Sequence, residues 1–312
     1  MIFLLHGSLV KTNKITMKLL YQRFDILNTM YKALQRIAKL TVFASAVALG
    51  VVPLCAENSD NEPAAKPSPE AKSPATETSK GEAPTVVVDP RADRLLRAMG
   101  DYLKAAKEFS FHAEIAFDDV QASGQKIQFG ATNDISVRRP NRIYANYEGD
   151  TARKRFWYDG QTVMLYDGDH NVYATEKVPP SIDAALDYLS GKLGFNPPLS
   201  DFIYDDPAAV LRQNVISGSD LGESNVDGVS CQHLAFVEKN IDWQIWIETG
   251  KAYVPRKFVI TYKTYPGAPQ FIAVLSDWDF ATPLSDALFS ADLPSDAGLI
   301  SFLKAAEPKT KE

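Results

Sequence analysis

Residues 109–138 read FSFHAEIAFDDVQASGQKIQFGATNDISVR, and this stretch decides the fold. Phe109, Phe111, Ala113, Ile115 and Phe117 alternate with Ser110, His112, Glu114 and Asp118. Ile127, Phe129, Ala131, Ile135 and Val137 alternate with Lys126, Gln128, Thr132, Asp134, Ser136 and Arg138. Successive side chains of a strand point to opposite faces, so each run is a long strand with one apolar side. A one-sided sheet must curl or be covered to bury that side.

The pattern continues outward. Shorter strands are predicted over Arg142–Tyr147, Lys154–Tyr158, Thr162–Tyr166 and Asn171–Thr175, with hairpin signals at Asp159-Gly160 and Asp167-Gly168-Asp169. Five more follow over Val215–Glu223, Val229–Val237, Asp242–Glu248, Arg256–Lys263 and Gln270–Phe280. Ile241, Trp243, Ile245 and Ile247 again keep one face, and Trp246 breaks the rule. Upstream, Asp89-Pro90 is a helix start, and Leu95, Met99, Tyr102, Leu103 and Ala106 form an apolar stripe ending near Glu108. Two short helices are predicted over Ile182–Leu189 and Pro207–Gln213. The expected fold is α+β: a long antiparallel sheet curled into a half-barrel. The N-terminal helix and the two short helices cover its concave face. Residues 89–304 make one domain, and 305–312 a disordered tail.

The N-terminus reads as an export signal. Lys32, Arg36 and Lys39 precede the apolar run Leu40–Leu54, and Ala56 precedes an acidic stretch. The run is shorter than the roughly 20 residues of a membrane-spanning helix, so no transmembrane segment is expected after cleavage. Met30 opens the expected signal peptide, 30–56, which makes 1–29 a candidate over-extended start. Cys55 raises a rival, lipidation, against which Leu54 before it is a poor fit. Residues 57–88 are rich in Glu, Pro, Ala, Lys, Ser and Thr and hold no aromatic residue. They read as a disordered linker with an r.m.s. span of roughly 30 Å. The expected compartment is the periplasm.

Beyond residue 56 the chain holds 26 basic and 38 acidic residues, a net charge of −12. Bulk charge argues against nucleic acid as a partner. Cys231 is then the lone cysteine, so the fold does not rest on an internal disulfide.

The order of elements resembles the lipoprotein-carrier superfamily typified by LolA and LolB. The resemblance is carried by Arg139-Pro140-Asn141-Arg142, by the hairpin from Tyr158-Asp159-Gly160-Gln161 through Tyr166-Asp167, and by Phe289-Ser290-Ala291-Asp292-Leu293-Pro294. A closer resemblance, over most of 89–304, is to a bacterial family of predicted periplasmic proteins known as a domain of unknown function. It rests on Asp201-Phe202-Ile203-Tyr204, on Gly228–Phe236, on Asp242–Glu248 and on Pro255–Tyr262. The superfamily resemblance implies an apolar face that holds a lipid or a lipoprotein acyl chain.

Candidate cavity residues are Phe111, Ile115, Phe117, Phe129, Ile135, Trp243, Ile245 and Trp278; the same aromatics also suit an ordinary filled core. Cys231 and His233 share a strand face, but a closed zinc site needs four ligands, and a satisfied core histidine is the plainer reading. Arg138, Arg139, Arg142, Arg153, Lys154 and Arg155 offer either a lipid-phosphate or acidic-partner patch or a solvated sheet edge. Asp118-Asp119 and Asp205-Asp206 suit turns better than paired-carboxylate chemistry. No catalytic, phosphate-loop or dinucleotide motif is present, and no metal or cofactor is expected. Three functions stay open: an apolar-ligand binder, an interaction or envelope-sensing module that binds a protein of the envelope, and an enzyme without a recognisable motif. N-terminal sequencing of the exported protein is expected to begin at Glu57; a blocked, lipidated Cys55 contradicts the signal-peptide reading.

Overall fold

A computed structural model describes residues 87–302. The signal peptide, the linker up to residue 86, the tail and the possible over-extended start lie outside the described residues.

The predicted pair of long strands forms β2 (Glu108–Val120) and β3 (Lys126–Arg138). They pair antiparallel without interruption from Glu108↔Arg138 to Val120↔Lys126. The chain continues as a meander: β4 (Arg142–Gly149), β5 (Arg153–Tyr158), β6 (Thr162–Asp167) and β7 (Val172–Lys177). A second meander runs through β8 (Ser217–Val226), β9 (Val229–Val237), β10 (Ile241–Glu248), β11 (Pro255–Tyr262) and β12 (Gln270–Asp279). Its last strand returns to the first of the other meander, with Phe271↔Phe117 and Ala273↔Ile115 in register. That single seam joins two meanders into one sheet.

Two edge strands complete it. β1 (Val87–Val88) runs parallel to β8, and β13 (Gly298–Ile300) runs parallel to β7. The expected curled, wholly antiparallel half-barrel is therefore corrected. The sheet has thirteen strands, is mixed, and follows a linear order from β1 to β13; it is neither closed nor curled. Alternation demands that the apolar face be covered, and here separate segments cover it without curling. Val87–Val88, read as the end of the linker, pairs with Ser217 and Gly218 instead.

The cover begins with α1 (Pro90–Ala105). Asp89 caps it by accepting a hydrogen bond from the Arg91 N–H at 2.7 Å, and Pro90 sits where no helical donor is needed. The buried stripe is Ala92, Leu96, Met99, Gly100 and Leu103, with Leu95 and Tyr102 flanking it. The helix stops short of the expected Glu108, which opens β2. α2 (Ile182–Tyr188) runs into a wider turn, Leu189–Leu193, and α3 (Pro207–Arg212) is capped by Asp206. Phe202, fully buried between α2 and α3, meets Phe258 of β11 edge to face at 5.3 Å.

α1 and α3 meet at Gly100. A Cβ there would stand 2.6 Å from Ala208 Cβ and 3.0 Å from its backbone nitrogen. Gly100→Ala gains about 1 kcal/mol of helix propensity but overpacks a tight contact, which costs about 1–3 kcal/mol. The expected result is a melting temperature a few degrees lower, partly restored by adding Ala208→Gly. A raised melting temperature would show that the two helices are not in this contact.

Candidate functional site

The sheet's covered face holds a cavity of about 420 Å³. This lies within the range of about 300–1,000 Å³ typical of small-molecule sites. Its floor is built by strand alternation: Ile135 of β3, Ile143 and Ala145 of β4, Phe156 of β5 and Leu165 of β6. The register places Ile135, Ala145, Phe156 and Leu165 in one cross-strand row. The roof is Leu186 of α2 with Phe195, Pro197, Pro198 and Ile203 from the segment that follows. Prolines and an aromatic in a non-repetitive segment shape a lid that needs few backbone donors.

The β4–β5 turn and the β6–β7 turn form the other end. Asp150, Thr151, Asp169 and His170 line it and are exposed, so the cavity meets solvent there. The turns are stiffened by charge. Arg153 donates through Nε and its backbone N–H to the two oxygens of Asp169, at 2.8 and 2.9 Å. The Arg153 side chain holds the Asp169 carboxyl below the usual carboxylate range. Lys154 forms a close ion pair with Asp167. Asp167 also accepts from the backbone N–H groups of Asp169 and His170, at 3.0 and 3.3 Å, and contacts His170 Nδ1 at 3.0 Å. Burial pushes the Tyr147 phenol up to about 12, with Asp150 adding to it, so this cavity-lining hydroxyl stays neutral. Asn133 also lines the cavity, is 2% exposed, and its Oδ1 has no hydrogen-bond partner. An orphaned buried carbonyl of this kind costs about 1–3 kcal/mol.

The eight expected cavity residues all belong to one core or pack against it. Phe117 and Ile135 line the cavity. Phe111, Ile115, Trp243 and Ile245 are buried in the filled part, where Trp243 stacks on Phe236 at 4.1 Å. Trp278 stacks on Phe111 at 4.4 Å, and Phe129 tilts against Phe117 at 5.9 Å. Asn133, Tyr147, Phe156, Leu165 and Phe195 were not among the sequence candidates. Asn133 had a signal: it is the polar residue in the apolar phase of β3, between Ala131 and Ile135.

The other candidates resolve into structural roles. Cys231 and His233 lie on the opposite sheet face from Trp243, Ile245 and Ile247. His233 is therefore not a core histidine. It stacks on Trp246 at 3.9 Å and contacts Gln244 at 3.0 Å, which explains the outward tryptophan. Burial holds its pKa below the usual imidazole value. Among the described residues no three His, Cys, Asp or Glu side chains gather as a metal would need. The basic cluster is spread through interior strands, not along an edge. Arg138 pairs with Asp286, Arg139 donates to the Tyr204 carbonyl at 2.9 Å, and Arg155 lies over the rings of Trp157 and Tyr166. Asp118 accepts from the Gln270 N–H at 3.0 Å, and Asp206 caps α3. No helix among the described residues is long and apolar enough to cross a membrane.

Residues 92–303 match the family described as predicted periplasmic protein (DUF2092), and the chain belongs to it. Among curated proteins there is no match. Similar solved structures include an uncharacterised conserved protein from Thermus thermophilus, at 9% identity and a TM-score of 0.42, covering 68% of this chain and 99% of that one. The lipoprotein LppX of Mycobacterium tuberculosis follows at 14% identity and 0.39, covering 63% and 100%. A LolA superfamily protein from Nitrosomonas europaea gives 8% and 0.35, covering 64% and 97%. The likeness is distant.

Burial, and secondarily Glu248, pushes the Cys231 thiol up to about 11. The residue is 1% exposed. At pH 8 its peptide is expected to escape alkylation by iodoacetamide in the folded protein and to be labelled fully in denaturant, as read by mass spectrometry. Rapid labelling of the native protein contradicts this placement.

Proposed function

We propose that this protein is a non-catalytic binding protein of the bacterial periplasm that holds an apolar ligand, a lipid or lipoprotein acyl chain, between its sheet and its helical cover. The cavity carries this reading. Its floor and roof are aliphatic, aromatic and proline side chains, and its charged groups stand at the solvent end. Such a site removes a hydrocarbon chain from water while leaving a polar end accessible. The expected export signal and the family's description as predicted periplasmic support this compartment. The ion pairs at the turns have structural partners, which supports a positioning role over a chemical one.

Each buried methylene contributes up to about 0.8 kcal/mol, close to fourfold in affinity. Affinity for fluorescent acyl probes is therefore expected to climb with chain length and then level off when the cavity is full. Ala145→Phe, which fills the cavity without adding charge, is expected to weaken binding about tenfold or more while circular dichroism stays unchanged. Affinity indifferent to chain length, or no binding by the folded protein, removes the acyl-binding reading and favours an interaction module.

A further inference from the structure

The outer face of the sheet, opposite the cavity, carries an apolar patch of its own. β12 breaks the alternation seen in β2: Phe271-Ile272-Ala273-Val274-Leu275 is apolar on both faces. Phe271, Ala273 and Leu275 are buried in the core, so Ile272 and Val274 point outward. Residues directly paired across strands share a face, which extends each into an outward row. One row is Val259, Ile272 and Ala116, across β11, β12 and β2. The next is Trp246, Lys257, Val274, Glu114 and Thr132, from β10 to β3. Val259 is buried among these side chains, whereas Ile272, Val274 and Ala116 stay half-buried. A strand apolar on both sides is the mark of a sheet covered on both sides.

The chain covers the other half of this face itself. Between β12 and β13, Asp286 pairs with Arg138, Phe289 is 2% exposed with the Arg138 guanidinium 4.9 Å from its ring centre, and Arg155 donates to the Asp292 carbonyl at 3.2 Å. The outward Trp157 of that half is 4% exposed. The patch on β11, β12 and β2 has a different property: its rows are self-complementary. Lys257 and Glu114 stand one strand to either side of Val274, and among the described residues neither forms an ion pair. Lys257 Nζ lies 5.0 Å from the centre of the Trp246 ring.

We propose that this patch is a homodimer interface, in which two outer faces stack about a two-fold axis running along β12. Such an axis sets Val274 on Val274, Ile272 on Ile272 and Val259 on Ala116, and it places each Lys257 over the other copy's Glu114. The strands of the two sheets are then aligned, the common arrangement of face-to-face sheets. The apolar centre is closed to water, and both unpaired charges are neutralised at its margin. The pairing is independent of what the cavity holds.

Sedimentation equilibrium of the full exported protein is expected to show a reversible monomer–dimer equilibrium. Ile272→Asp is expected to leave only monomer, with circular dichroism unchanged. Charge reversal gives a second readout should that variant fail to fold. Lys257→Glu and Glu114→Lys, which each set two like charges together across the interface, are expected to weaken the dimer about tenfold or more. Both reversals in one chain are expected to restore it to within about threefold of the wild type. A wild-type protein that stays monomeric at high concentration overturns the proposal and leaves the patch to a different envelope protein. A dimer that survives Ile272→Asp and the single reversals shows that the copies meet elsewhere and overturns it as well. Failure of the double reversal to restore a dimer lost in both single reversals overturns the two-fold arrangement.

Discussion

A sheet with one apolar face is stable only if that face is kept from water, and everything in this protein answers to that constraint. The seam between β12 and β2 turns two meanders into a single continuous face. That face is larger than α1 alone can cover. The segment between β7 and β8 supplies the rest, through α2, the turn after it, Phe202 and α3. Where Trp243, Phe236, Phe258 and Phe202 meet, the cover fits closely and the core is filled. Where Leu186, Phe195 and the two prolines arch over β3 to β6, it stands off and leaves the cavity. One half of the sheet thus holds the domain together, and the other half has room for a guest.

A polar row, Asn133, Tyr147, Lys154 and Asp167 in cross-strand register, conflicts with the otherwise apolar face. Burying the Asn133 Oδ1 without a partner destabilises the protein. A leucine at position 133 would continue the alternation. Local rules are broken at functional sites more often than elsewhere, and here the break falls on the wall of the cavity. Charge at the turns serves the same end. Arg153 with Asp169 and Lys154 with Asp167 fix the β4–β5 and β6–β7 turns at the solvent end.

Much of the fold was legible because alternation is a strong local signal. β2 and β3 could be read residue by residue, and Asp89-Pro90 announced α1 through capping chemistry. β1 and β13 were not legible: two or three residues carry no period, and only parallel pairing to β8 and β7 defines them. Nor does alternation say how an apolar face is covered, which is why the curled half-barrel was the wrong expectation. Little of the cavity lining was visible. Phe117 and Ile135 followed from phase, whereas Phe195, Pro197 and Ile203 come from a segment with no repeat. Asn133 was written in the sequence as a gap in a strand's apolar phase, but its meaning needed Tyr147, Lys154 and Asp167 brought alongside by pairing.

The central claim is that the space above β3 to β6 is a binding site and not a packing defect. Lipid extraction and mass spectrometry of the protein isolated from the periplasm test it most directly. The expected result is a lipid carrying an acyl chain, recovered near one per protein and depleted by Ala145→Phe. Recovery of no lipid from the wild-type protein, or of the same lipids in the same amounts from Ala145→Phe, would contradict it.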